Sequence, residues 1–155
     1  MKKLLKQKTS ANAAETALTS QVDVTSVDGG NHVFASLSAR LAVIRKLKGV
    51  LGYILRSSTS AIIDFTEPDK ITENAILSSQ IHESCHEISE QFNLGEVESV
   101  LVEGENVKVL CMSIGENKIS VFMEKNVPQL EIGLELNCLF SGYLSHSVSG
   151  KPWKC

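Results

Sequence analysis

The chain has 155 residues and a mass of 16.9 kDa, the size of one ordinary domain. Hydrophobic residues at 43%, charged residues at 21% and only three prolines exclude a disordered or collagen-like polymer. A formal net charge of -3, from 18 acids against 15 bases, excludes the basic balance of a domain drawn to nucleic acid by charge alone.

Residues 1–34 open with Lys2, Lys3, Lys6 and Lys8 and continue through Thr, Ser, Asn and Ala to Asp28-Gly29-Gly30-Asn31. Large apolar residues do not recur there at helical or strand spacing, so ordering this stretch would cost entropy with little burial, and a basic and polar tail is expected. Lys6, Gln7 and Lys8 interrupt the apolar run that a secretion signal needs after its charged start. No apolar run approaches the ~20 residues that cross a bilayer, so neither integral membrane association nor export is expected, and the protein reads as cytoplasmic. Cys85, Cys111, Cys138 and Cys155 are too widely spaced for a Cys-x-x-Cys pair and read as reduced thiols. Cys155 also lacks the three following residues of a prenylation signal.

From Ser36, residues Leu37, Leu41, Ile44 and Leu47 recur at steps of four, three and three, which predicts a helix stopped by Gly49. Val50 to Leu55 predicts an apolar strand, Arg56 to Ser60 a turn, and Ala61 to Phe65 a second strand ended before Pro68. A long helix follows to Phe92, with Leu77, Ile81, Cys85, Ile88 and Phe92 as its apolar stripe and Asn93-Leu94-Gly95 as its stop. Three strands come next, Val97 to Glu103, Val107 to Ile114 and Lys118 to Lys125, joined by short Gly-Glu-Asn turns. In the last of them Ile119, Val121 and Met123 alternate with polar residues, the pattern of a sheet covered on one face. Phe122 breaks that alternation and is a candidate partner surface. Pro128 opens a third helix whose expected stripe is Leu130, Leu134, Cys138 and then Phe140 or Leu144.

The order α-β-β-α-β-β-β-α predicts an α+β domain over 35–146, a five-stranded antiparallel sheet covered by helices, with 147–155 as a frayed end. That order, with Leu47-Lys48-Gly49-Val50 running into Leu51-Gly52-Tyr53-Ile54-Leu55, the stop at Leu94-Gly95, Val100-Leu101-Val102 leading into Val107-Lys108-Val109-Leu110, and Leu130 to Leu134 opening the last helix, resembles the Roadblock family of dynein light chains and bacterial or archaeal polarity regulators. The similarity covers about residues 36–144. The first hairpin turn departs from it, with Ser57-Ser58-Thr59-Ser60 where the family commonly has acidic residues and glycine.

The resemblance implies a Roadblock-like fold and a homodimer, or a dimer with a related Roadblock subunit, whose third strands pair edge to edge. An open sheet independently needs its edges covered or paired. The candidate dimer residues are Val97, Val100, Val102, Ile81, Cys85 and Ile88. Family members bind small Ras-like GTPases as regulators or platforms, or serve as dynein adaptors, so a small GTPase is the expected partner.

The sharpest local motif is His82-Glu83-Ser84-Cys85-His86, a His-Glu-x-x-His on a predicted helix, the spacing of two zinc ligands and a general base. The extended metzincin pattern is missing, since Ser89 and Phe92 stand where its glycine and third histidine would be. On a helical wheel centred on Ile81 the histidines fall at about 100° and 140°, beside Glu83, Glu87 and Glu90, a wet acidic flank that would favour charged imidazoles. A zinc-dependent hydrolase is therefore the alternative, a small-ligand sensor a further one, and no catalytic, cofactor or metal residue is assigned. No phosphate-binding loop or Gly-x-Gly-x-x-Gly occurs, so the nucleotide is expected on the partner. Arg56, beside the first hairpin turn, is the candidate arginine for a partner surface. Asp69 to Glu98 holds seven acids and one lysine, which suits solubility or a basic partner.

Overall fold

The computed structural model describes residues 29–144; of the expected tails, residues 1–28 of the first (1–34) and the whole of the second (147–155) lie outside the described residues, while residues 29–34 belong to the first helix. The elements are α1 (Gly29–Ile44), β1 (Val50–Arg56), β2 (Ala61–Phe65), a single 3-10 turn at Pro68–Lys70, α2 (Ile71–Phe92), β3 (Ser99–Glu103), β4 (Val107–Ile114), β5 (Asn117–Glu124) and α3 (Gln129–Leu144). The strands form one antiparallel sheet in the order β2-β1-β5-β4-β3, so β2 and β3 are its edges.

Helix α1 begins before the expected Ser36, because Val33 and Phe34 extend the stripe of Leu37, Leu41 and Ile44 by a turn and pack on the same core. That core lies between one sheet face and the pair α1 and α3. It gathers Leu37, Leu41 and Ile44 with Tyr53, Leu55, Leu110, Met112, Ile119, Val121 and Met123, and closes with Ile132 and Leu136. The expected α3 stripe is thus corrected. Ile132 and Leu136 are buried while Leu130 and Leu134 face outward, since Val127 enters the core just before the helix and sets its rotation. Cys85 and Cys111 are free, but Cys138 on α3 is disulfide-bonded, against the expectation of four reduced thiols.

The opposite sheet face carries α2. Ile54, Val109, Cys111 and Phe122 meet Ile81 there, with Leu51, Phe65, Ala75, Cys85, Val100 and Val107 around them. Both faces are therefore covered, and the alternation of β5 marked the α1–α3 side alone. Phe122 is 1% exposed, so it is core and not a partner surface; its break in the alternation is the second face's own signal. In β1 a register shift between Val50 and Gly52 lets Leu51 join the α2 side while Val50 and Tyr53 stay on the other, which is why that strand reads as uniformly apolar.

Across the sheet, Phe65, Gly52, Phe122, Val109 and Val102 form one row. Gly52 leaves room for the Phe65 ring to lean over it and meet Phe122 edge on, centroids 5.0 Å apart. A Cβ at 52 would run into that ring and stand 2.6 Å from the Asp64 carbonyl oxygen. Gly52→Ala should cost about 1–3 kcal/mol by overpacking, read as a lower urea midpoint at unchanged slope. An unaltered midpoint would mean that Phe65 is not fixed over Gly52.

Candidate functional site

Helix α2 is stopped by Asn93, whose φ of 51° and ψ of 44° are the left-handed conformation of a helix end. The Ser89 hydroxyl then bonds the Gly95 carbonyl oxygen, and Ser113 N–H reaches the Glu98 carbonyl at 3.0 Å, which leads the chain into β3. The residues that α2 turns to the sheet are Ser78, Ile81, His82 and Ser89, with Ala75, Ser79 and Cys85 half-buried. Of the expected apolar stripe only Ile81 and Cys85 point inward; Leu77, Ile88 and Phe92 are exposed, Phe92 at 69%.

The reason lies beneath the helix. Ser120 of β5 is 1% exposed, in the middle of the row Ile63, Ile54, Ser120, Cys111 and Val100. Its hydroxyl shares hydrogen bonds with Ser78 Oγ at 2.7 Å, His82 Nε2 at 3.2 Å and Cys111 Sγ at 3.2 Å. A buried hydroxyl without partners costs ~1–3 kcal/mol, so α2 presents its small polar residues to Ser120 and leaves its apolar flank outside.

The two motif histidines part company at this boundary. His82 is buried, and desolvation, followed by the charges of Lys118 and Arg56, pushes it down to about 4, so it is neutral at pH 7. This reverses the expectation that nearby glutamates would favour its charge, since Glu83 faces solvent. His86 is exposed, 3.4 Å from the Glu90 carboxylate. Among the described residues no group of three or more His, Cys, Asp or Glu side chains is placed to hold a metal ion. A cavity of about 210 Å³ between α2 and the segment leading into β3 is lined by His82, Cys85, Val97, Val100 and Lys118. It falls below the ~300 Å³ at which ordinary ligand pockets begin. On the other side an open hollow of about 480 Å³ lies beside Val127 and Ile132, with Glu124 and Glu135 on its wall.

The six residues named for a dimer divide. Val102 and Ile88 are exposed, Val97, Val100 and Cys85 are half-buried, and Ile81 is committed to the chain's own core. Val100 packs on the α2 side of the sheet, and Val102, two residues on, shares that face. The exposed Leu77, Phe92 and Leu94 were missed as surface, because a stripe shows that residues share a helix face and not whether this chain covers it. Arg56 is held, its guanidinium donating to Ser79 Oγ at 2.7 Å, and so ties β1 to α2. Among the described residues no helix is long and apolar enough to cross a membrane.

No protein-family model and no curated protein sequence matches the chain. Solved structures do. A Roadblock/LC7 domain from Streptomyces avermitilis is 16% identical with a TM-score of 0.55, the match covering 73% of this chain and 95% of that one. MglB of Myxococcus xanthus is 11% identical with a TM-score of 0.61, over 83% and 99% of the two chains. The gliding protein MglB of Thermus thermophilus is 11% identical with a TM-score of 0.55, over 68% and 84%. The chain therefore has the Roadblock fold, an α+β arrangement of a five-stranded antiparallel sheet between helices.

A folded-state value near 4 for His82, against 6.5 for the free side chain, fixes a sign. Between pH 6.5 and 4 the unfolded chain binds the extra proton, so this group's contribution is whole above pH 6.5, falls through that window and is level below it. The loss is at most about 3 kcal/mol. Urea unfolding from pH 7 to 4 should show it, and His82→Gln should lose less over the same range. Parallel curves for the two proteins would refute the assignment.

Proposed function

We propose that this chain is a non-enzymatic, dimeric interaction module that scaffolds or regulates a small Ras-like GTPase in the cytoplasm. One observation carries the reading: the flank of α2 bearing Leu77, Ile88 and Phe92 is apolar and unpartnered, on the same side of the sheet as the edge residues Val100 and Val102. Fully burying a large apolar side chain is worth ~1.5–3 kcal/mol, and this chain leaves much of that unclaimed. A second copy, or a related Roadblock subunit, would claim it by pairing β3 to β3, so that the sheet runs on through both subunits and the two α2 flanks meet. The two edges differ in the way this requires. Edge strand β2 carries the charge of Asp64, ion-paired to Arg45 at 3.5 Å, whereas β3 presents Val100-Leu101-Val102.

The Roadblock fold, shared with two MglB proteins, supports a GTPase as the further partner, with the nucleotide held by the GTPase. Glu83, Glu87 and Glu90, all exposed on α2, give the dimer an acidic ridge that suits a basic partner surface. With Arg56 bonded to Ser79, the module would act by positioning its partner rather than by supplying an arginine to the reaction.

Native mass spectrometry of untagged protein should give twice 16.9 kDa without metal, and Val102→Lys with Phe92→Asp should give the monomer mass while unfolding as before. A double variant that stays dimeric would remove the proposed seam. The functional test is binding to the small Ras-like GTPases encoded in the same genome, each loaded with GDP or a GTP analogue. One of them should bind the dimer in preference for one nucleotide state, and His86→Ala should bind equally well. A monomer holding one tight zinc, with peptide hydrolysis lost in His86→Ala, would overturn the reading in favour of a hydrolase.

A further inference from the structure

We propose that Arg56 and Lys118 form a binding site for a small phosphate-bearing anion, inorganic phosphate or a phosphate monoester, at the end of the sheet beside α2. The two residues are direct cross-strand partners, Arg56 of β1 opposite Lys118 of β5. Both lie on the α2 side, since Arg56 donates to Ser79 Oγ at 2.7 Å and Lys118 lines the cavity shared with His82. Like charges directly opposite one another in a sheet repel and destabilise it. Among the described residues no carboxylate forms an ion pair with either cation. Glu83, one turn beyond Ser79 on α2, and Glu116, two residues before Lys118, are exposed and pair with neither.

The pair thus carries a repulsion that nothing in the described chain offsets, and an anion bridging the two side chains would offset it. One of the guanidinium's N–H donors is taken by Ser79, which fixes the direction of the group, and the others remain for a ligand together with those of the Lys118 ammonium. Two cations match the charge of a phosphate dianion, whereas a carboxylate would neutralise only one of them. The turn that follows Arg56, Ser57-Ser58-Thr59-Ser60, brings hydroxyls and no acid to this end of the sheet. Glu96 and Glu98 line the cavity beyond Lys118, so the anion belongs on the Arg56 side of that lysine. His82 feels both cations: after desolvation, the charges of Lys118 and then Arg56 are what lower its pKa.

On the helical wheel centred on Ile81, Ser79 falls at about 160°, while Leu77, Ile88 and Phe92 fall at about -40°, -20° and 20°. The anion site and the proposed dimer seam therefore lie on opposite flanks of α2. A dimer would carry one site in each subunit, and anion binding and dimerisation can fail separately.

The test is nuclear magnetic resonance of the full-length chain at neutral pH and constant ionic strength, titrated separately with inorganic phosphate, O-phosphoserine and acetate. Phosphate should move the Arg56 side-chain N–H, the Lys118 and Ser79 amides and the His82 ring signals along one saturating curve. Tighter binding of O-phosphoserine would identify a monoester as the ligand, and tighter binding of inorganic phosphate the free ion. Arg56→Gln and Lys118→Gln should each weaken binding about tenfold or more. Lys118→Glu, which puts an opposite charge across from Arg56, should abolish binding and, without phosphate, raise the urea midpoint above that of the unmodified chain. The proposal is overturned if acetate binds as tightly as phosphate, if the shifts spread over other lysines without saturating, or if Lys118→Glu brings no gain in stability.

Discussion

The placement of one hydroxyl decides how this molecule meets its surroundings. Ser120 sits at the centre of the sheet face under α2, where water cannot reach it, and its bonding capacity is filled by Ser78, His82 and Cys111. Satisfying it requires that α2 roll its small polar residues inward. A helix has only so much circumference, so the residues displaced from the interface, Leu77, Ile88 and Phe92, must go outside. An apolar residue at position 120 would have let the stripe of α2 face the sheet and left the domain with less to offer a partner. The polar seam in the core and the apolar flank on the surface are thus one constraint seen from two sides.

The two faces of the sheet share the remaining work unequally. On the α1–α3 side the cluster is large and apolar, from Leu37 and Leu41 through Val121 to Leu136, and supplies most of the burial that holds the domain together. On the α2 side the cluster is smaller, and its tightest feature is the aromatic pair Phe65–Phe122 made possible by Gly52. That pair fixes edge strand β2 to the middle of the sheet, while Arg45 draws the end of α1 to Asp64 and, by donating to the Val50 carbonyl oxygen at 3.2 Å, to the start of β1. With β2 secured in this way, β3 is the edge left with an apolar run and no charge in its middle.

Much of this was legible in the sequence. Element order, the β4 boundaries, the stops at Asn93 and the short strand connections all rest on local chemistry that a chain carries with it, and the Roadblock resemblance followed from that order. What was not legible is rotation. The stripe of α2 and the stripe of α3 were both found, and in both the helix is turned so that part of the stripe faces out. Periodicity groups Leu130 with Leu134, but the choice between that pair and Ile132 with Leu136 is made by Val127, which reaches the core from outside the helix. In the same way Phe122 was visible as an exception to alternation, and only the second helical layer shows it to be the rule on the other face.

The His-Glu-x-x-His motif carries the same lesson into chemistry. Spacing places His82 and His86 about 40° apart on the helix, close enough to share a ligand. The margin of the buried face runs between them, however, and direction outweighs proximity. His82 has lost its water and turned its Nε2 to a serine, so its charged form is penalised by burial before any neighbour acts. His86, one turn on, keeps its water and a glutamate. A metal would need both rings to turn to one point, which would break the bond of His82 to Ser120 and leave that hydroxyl one partner short beneath α2. The contact that orients the helix therefore also opposes the turn that a ligand shared by the two rings would need.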